Sequence, residues 1–370
     1  MLGHVFLSIS SLWMTVNLCV HPPDYYSLIP NDLRSKEVKI ASDTGFIDVE
    51  GGRLYYEQAG RGETIVFLHD GLVHSATWDE QFDRFAGEYR VIRYDRRGFG
   101  QSDPARAPYS DIEDLHRLFE QLHVSEAHLV GCSAGSRLAI DFALAFPDKV
   151  KSLLLVGAVV SGLDFTNHFY TRGGRFKTEY FDDPERSIEY WAFEDPYEIA
   201  PENKAVKEKV SAILKANPQD ITAARGRFVK SPRSAMERLS EIDVPVLILV
   251  GEKDIPDVHA HSGAINAGIK GSRRVVVKGA GHMVHMEQPE VFDREAARFL
   301  RYERLFSVLR KDGAGKAYEL FEKLKSSYPG EVPFDEMRMN QLGYEYLQKG
   351  DVEAALLIFK MNMEAYPKKE

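Results

Sequence analysis

A chain of 370 residues, 44% hydrophobic and 28% charged, is able to bury a large core and is long for a single domain. A formal charge of -9 and a pI near 5.8 offer no basic stripe for nucleic acid. The two cysteines, Cys19 and Cys132, make no disulfide framework, and neither they nor the histidines show a metal-site spacing, so no metal and no cofactor is expected.

The first segment, 1–44, reads as an extension and linker. Val5 to Val20 carries no charged side chain, like the apolar part of a signal peptide, yet no Lys or Arg precedes it and no small-x-small pair marks a cleavage site. It is too short and too rich in Ser, Thr and Asn for a membrane span. Export and an unprocessed extension both stay open, a cytoplasmic location is favoured, and membrane association is undecided.

A folded body begins near Gly45. Phe46 to Glu50 and Leu54 to Glu57 flank Gly51-Gly52 as a hairpin, and Thr64 to Leu68 is an apolar run of the kind a strand buried on both faces shows. Tyr89 to Tyr94 reads as a strand, and Ile112, Leu115, Leu118, Phe119 and Leu122 recur at helical spacing. His128-Leu129-Val130 then leads into Gly131-Cys132-Ser133-Ala134-Gly135, followed by a helical pattern over Arg137 to Phe146. Strand, turn and helix make G-x-S-x-G a nucleophile elbow, in which the glycines leave room for a strained turn that lifts the Ser133 hydroxyl clear of the sheet. Ser152 to Val156 is a further strand. Short apolar runs alternating with amphipathic helices predict an α/β fold, a mostly parallel central sheet with helices on both faces.

The alternation stops after 158. Over 159–241 no strand is predicted, and Ser187 to Phe193, Lys204 to Leu214 and Asp220 to Arg227 suit helices of a cap. Ten aromatics fall between Phe165 and Tyr197; they either fill the insert's own core or, through Phe169, Tyr170, Phe181, Trp191 and Phe193, line an apolar pocket over Ser133. The sheet resumes in 242–301 with Val244 to Val250 before Gly251-Glu252-Lys253-Asp254, and Arg273 to Val277 before Gly279-Ala280-Gly281-His282.

The order Ser133, Asp254, His282, each just after an apolar run, resembles the alpha/beta-hydrolase fold family. His69-Asp70-Gly71 with Trp78, Tyr94-Asp95-Arg96-Arg97-Gly98-Phe99-Gly100-Gln101-Ser102, and Gly281-His282 followed by Glu287 and Pro289 resemble it too, over roughly 45–301. The resemblance implies that Ser133 is the nucleophile, His282 its base, Asp254 the orienting acid, and the backbone N–H groups of Gly71 and Ala134 the oxyanion hole. It departs at Asp70, where the family often has Gly; an acid there opposes an oxyanion unless it points away. Serine at the elbow excludes the relatives whose nucleophile is Asp. The implied activity is hydrolysis of a small ester or lactone through an acyl-enzyme, with carbon–carbon bond hydrolysis the less favoured variant, and turnover rising through about pH 6 to 8 as His282 deprotonates. The competing reading is a silent scaffold whose tail carries the function.

Other residues have plainer roles. Asp257 competes with Asp254 as the acid, His259 and His285 read as surface or pocket-wall residues, Glu287 as a local helix-start residue, and Arg96 and Arg97 as loop braces.

The tail, 302–370, carries Leu342-Gly343, Tyr346, Gly350, Ala355, Phe359 and Pro367 at the spacing of a tetratricopeptide repeat, with Ala317, Phe321 and Pro329 a partial copy 38 positions upstream. Met339 and Asn362 depart from that pattern. So short an array reads as a buttress or homodimer element, or as a docking surface for a protein partner.

Overall fold

A computed structural model of the chain describes residues 41–223, 229, 233–331, 334 and 336–367. The expectations for 1–40, for the end of the Asp220 to Arg227 helix and for the side chain of Phe181 lie outside the described residues.

Eight strands form one sheet in the order β1-β2-β4-β3-β5-β6-β7-β8: β1 (Asp43–Val49), β2 (Gly52–Ala59), β3 (Thr64–Leu68), β4 (Arg90–Tyr94), β5 (Ala127–Cys132), β6 (Val150–Val156), β7 (Val246–Gly251) and β8 (Arg273–Val277). The β1–β2 and β2–β4 pairs are antiparallel and every other pair is parallel. Every residue of β3, β5 and β7 is buried, which is why their sequences are unbroken apolar runs; β1 and β8, at the edges, are partly exposed.

Alternation along each strand feeds two cores. On one face Val66, Leu68, Leu129 and Ile248 meet helices α2 (Asp111–Gln121), α3 (Ala134–Ala145) and α8 (Pro256–Gly268) through Leu115, Phe119, Leu138 and Ile265. On the other, Ile65, Phe67, Val130 and Leu249 meet α1 (Asp79–Phe85) and α10 (Pro289–Asp312) through Phe82, Phe292 and Leu300. Each fully buried Leu, Ile or Phe contributes about 1.5–3 kcal/mol.

From β3 the chain steps to β4 on one side and then returns to β5 on the other, so β3 and β5 flank a switch point at which their carboxyl ends open a crevice. The site is built there.

Between β6 and β7 the described residues contain no strand. Short helices α4 (Asn167–Thr171), α5 (Pro184–Glu189), α6 (Lys204–Ala216) and α7 (Asp220–Ala223) occupy this insert, α5 running on into a π turn over Tyr190–Glu194. Asp183 and Asn203 cap α5 and α6 by accepting N–H groups three residues on.

Helix α10 runs without a break across the expected boundary at 301/302. Tyr302, Leu305, Phe306 and Leu309 of that helix are themselves part of the tail core, with Phe321 of α11 (Ala314–Ser327), Met339 of α12 (Glu336–Gln348) and Ile358 of α13 (Val352–Ala365). Gly343 lets α12 and α13 approach, since a Cβ there would lie 2.5 Å from the Phe359 ring. No helix of the described residues is long and apolar enough to cross a membrane.

Candidate active site

Strand β5 delivers Ser133 at its carboxyl end, and α3 starts at the next residue. Ser133 sits at φ 51, ψ −112, a conformation rare for any residue with a side chain. Close packing enforces it: a Cβ on Gly131 would lie 2.5 Å from Gly135 O, and one on Gly135 would lie 2.2 Å from Leu68 O. The Ser133 N–H is held by Val156 O (2.9 Å), and Ser136 Oγ donates to Gly131 O and Val156 O.

Asp254 leaves β7 in a turn whose N–H is bonded to Gly251 O, while Asp254 Oδ1 accepts from Ile255 N–H. Its Oδ2 lies 2.9 Å from His282 Nδ1. The loops after β7 and β8 are pressed together, a Cβ on Gly251 falling 1.9 Å from Gly281 O. His282 N–H is bonded to the carbonyls of Tyr197 and Glu198, so the cap main chain seats the imidazole. Gly157, next to the Val156 that holds Ser133, is packed on the same ring: a Cβ there would lie 2.7 Å from His282 Cε1 and Nδ1. Asp254 and His282 thus meet directly, and two consecutive residues, Val156 and Gly157, link the Ser133 main chain to that pair.

Gly71 follows β3, and a Cβ placed on it would be 3.7 Å from that of Ala134. The Ala134 N–H is in the first turn of α3, where no intrahelical acceptor exists. Asp70, beside them, is buried; its Oδ1 accepts the N–H groups of Leu72 and Val73, and burial pushes its carboxyl above the usual range. His69, also buried, is held neutral: burial takes it well below its usual value, Nδ1 donates to Asp70 O and Nε2 accepts Arg96 N–H.

Burial works against protonation of His282, but the carboxylates of Asp254 and Glu198 outweigh it and lift the imidazole to about 9. Glu198 is itself buried and pushed up to about 7 by desolvation. Sequence reasoning missed this residue, and the irregular insert carries no period that would have marked it. It missed Arg172 as well. That side chain, buried at φ 47, lies 4.9 Å from each of the Phe169 and Trp191 rings and 3.5 Å from both Asp195 Oδ2 and Glu198 Oε2.

Tyr170 is 61% exposed and stands edge-on to Phe169 rather than in a buried pocket. Trp191 and Phe193 pack into the cap core with Leu72, Ile188, Val206 and Met283, while Phe169 packs with Val159, Phe165 and Tyr197 beside Ile255 and Val258. Of the two places expected for His285, surface or pocket wall, burial excludes the surface: it is fully buried, stacks on Trp78 at 3.9 Å, and burial pushes it down to about 3. Glu287 reaches further than its own helix, accepting the N–H groups of Gly281 (2.9 Å) and Ala200 (2.7 Å). Asp257 is committed elsewhere, to Thr166 N–H and Oγ1. Arg97 braces its loop by a two-pronged pair with Asp114, and Arg96 donates to Asp70 O. Among the described residues no group of His, Cys, Asp and Glu is placed to hold a metal.

The profile of the alpha/beta hydrolase family matches residues 65–295. A Bacillus subtilis (strain 168) protein described as a putative 2-succinyl-6-hydroxy-2,4-cyclohexadiene-1-carboxylate synthase is 29% identical over 259 residues, 66% of this chain and 92% of that one. A 2-hydroxy-6-oxononadienedioate/2-hydroxy-6-oxononatrienedioate hydrolase of Paraburkholderia xenovorans (strain LB400) is 28% identical over 294 residues, 71% of this chain and 96% of that one. Among solved structures, Est816, described as an N-acyl homoserine lactone degrading enzyme, superposes with a TM-score of 0.56 at 25% identity, over 68% of this chain and 99% of that one.

Proposed function

Because this chain belongs to the alpha/beta hydrolase family, we propose that it is a serine hydrolase that cleaves a small carboxylic ester or lactone through an acyl-enzyme. The observation that carries this reading is the strained Ser133 at the carboxyl end of β5 together with the Asp254–His282 pair, whose Oδ2 and Nδ1 lie 2.9 Å apart, Val156 and Gly157 joining the Ser133 main chain to the His282 ring. Neutral His282 takes the Ser133 proton as Oγ attacks the carbonyl carbon. The N–H groups of Gly71 and Ala134 receive the oxyanion, each such donor lowering the barrier by about 3 kcal/mol. Collapse expels the alcohol with the proton from His282; water then attacks the acyl-enzyme while giving a proton to His282, which returns it to Ser133 Oγ as the second intermediate collapses and releases the acid. Asp254 holds the imidazole with Nε2 toward the hydroxyl.

Carbon–carbon bond hydrolysis is the second reading, on the strength of relatives such as the nonadienedioate hydrolase. Those substrates bear carboxylates, whereas the buried groups around His282 in this chain are predominantly acidic. Ester or lactone cleavage therefore fits better. We assign Phe165, Phe169 and Val159 to the apolar side of the substrate pocket.

The tail, read as a tetratricopeptide-like pair of repeats, acts as a buttress: α10 runs from the sheet core into the tail core. A fluorophosphonate probe tests the main reading. It labels the wild type and not Ser133→Ala; a folded wild type that resists the probe and turns over no p-nitrophenyl ester would leave the scaffold reading in its place.

A further inference from the structure

Besides Asp254, three buried acids lie close to His282: Asp70, Glu198 and Glu287. Both oxygens of Glu287 are occupied by main-chain N–H groups. The other two are less well matched. Asp70 Oδ2 is buried and has no hydrogen-bond partner. Glu198 Oε2 has Arg172 Nη2 at 3.5 Å, the far limit of a hydrogen bond, and Arg172 is shared with Asp195.

The two side chains arrive from different parts of the chain. Asp70 stands between β3 and Gly71, and Glu198 comes from the cap segment that seats His282. Both act electrostatically on His282 and on the thiol of Cys132, the residue before Ser133, so both carboxyls bear on the place where an acyl group would lie. Of the cations nearby among the described residues, Arg172 is already engaged by Asp195 and Glu198, and Arg96 is turned to Asp70 O and the Phe99 ring, its Nε buried without a partner. An incoming carboxylate would raise the cost of ionising two acids that burial already keeps above their usual range. A neutral acyl group meets no such opposition, and an N–H or O–H on it would supply the partner that Asp70 Oδ2 lacks.

We infer that Asp70 and Glu198 determine specificity by charge: the site accepts esters or lactones whose acyl side is uncharged and rejects those bearing a carboxylate near the scissile bond. This rests on the hydrolase reading above, and the test separates the two. The ratio of kcat/KM for p-nitrophenyl butyrate over p-nitrophenyl hemisuccinate at pH 8, corrected for their alkaline hydrolysis, is measured for wild type, Asp70→Asn and Glu198→Gln. The wild-type ratio is expected to be about a hundredfold, as juxtaposed like charges cost several kcal/mol, and each variant should shrink it at least about fivefold. Folding of each variant is checked by circular dichroism, and either one alone suffices. A role confined to packing would lower both rates and leave the ratio where it was. Calorimetric binding of the two esters to Ser133→Ala gives a readout independent of turnover. Preferential binding of the butyrate ester with no turnover in wild type would overturn the hydrolase reading and uphold the selection; a wild-type ratio near one, or one that neither variant moves, would overturn the selection.

Discussion

The body and the tail of this chain solve different problems with the same kinds of helix. Of the three non-glycine residues with positive φ among those described, Ser133 and Arg172 lie at or beside the site, and none lies in the tail, whose positive φ values fall on Gly313, Gly330 and Gly350. The body buries Asp70, Glu198, Asp254 and His282 together, whereas the tail buries Glu303 and Asn362 apart from any such cluster and leaves Met337, Tyr344, Leu347, Val352, Leu356 and Met363 exposed. Strain and clustered charge therefore collect where chemistry is proposed, and the tail shows what packing looks like without that demand.

The sharpest way to break this contrast is at the elbow. Ser133→Ala should lower ester turnover by at least about 10⁴-fold with no loss of stability, read by kcat and thermal midpoint. A smaller loss would mean that the strain at residue 133 serves something other than a nucleophile. In the tail the balance reverses: Phe321→Ala should cost about 3–5 kcal/mol in denaturant unfolding yet leave turnover of the folded protein at 25 °C unchanged, because Phe321 touches only the tail core.

Gly157→Ala probes the join between backbone and chemistry. Its new Cβ would push on the His282 ring, and a displacement of about 1 Å should lower kcat roughly 100-fold, with about 1–2 kcal/mol lost because φ there is +50. Turnover near wild type would show that the ring yields without consequence.

The pH profile sharpens the comparison further. His282 acts only when neutral, and its folded value is near 9, so turnover should climb with pH and level off above that point rather than above 6.5. Glu198→Gln removes one of the two carboxylates that lift it and should move the midpoint down. The smallest effect is expected for Leu356→Ser, within about 0.5 kcal/mol of wild type because the side chain is 65% exposed.

What the sequence disclosed and what it hid divide along the same line. Ser133 and Asp254 each follow a strand buried on both faces, which announces itself as an unbroken apolar run, and His282 follows the Val275-Val276-Val277 run of the partly exposed edge strand β8. Their positions were legible for that reason, as was the small residue at Gly343 that lets two helices meet. Arg172 and Glu198 sit in short, irregular segments whose geometry is fixed by contacts with distant loops, so neither period nor spacing pointed to them. Tyr170 misled because aromatic composition alone does not say which ring faces inward. The change of packing partner along α10 near 301/302 was hidden because it occurs without a change in helical pattern.

The carbonyls of Tyr197 and Glu198 that grip the His282 amide have a mechanical corollary. If this stretch of the insert swung outward, it would carry the imidazole with it and unmake the proton path it was meant to serve.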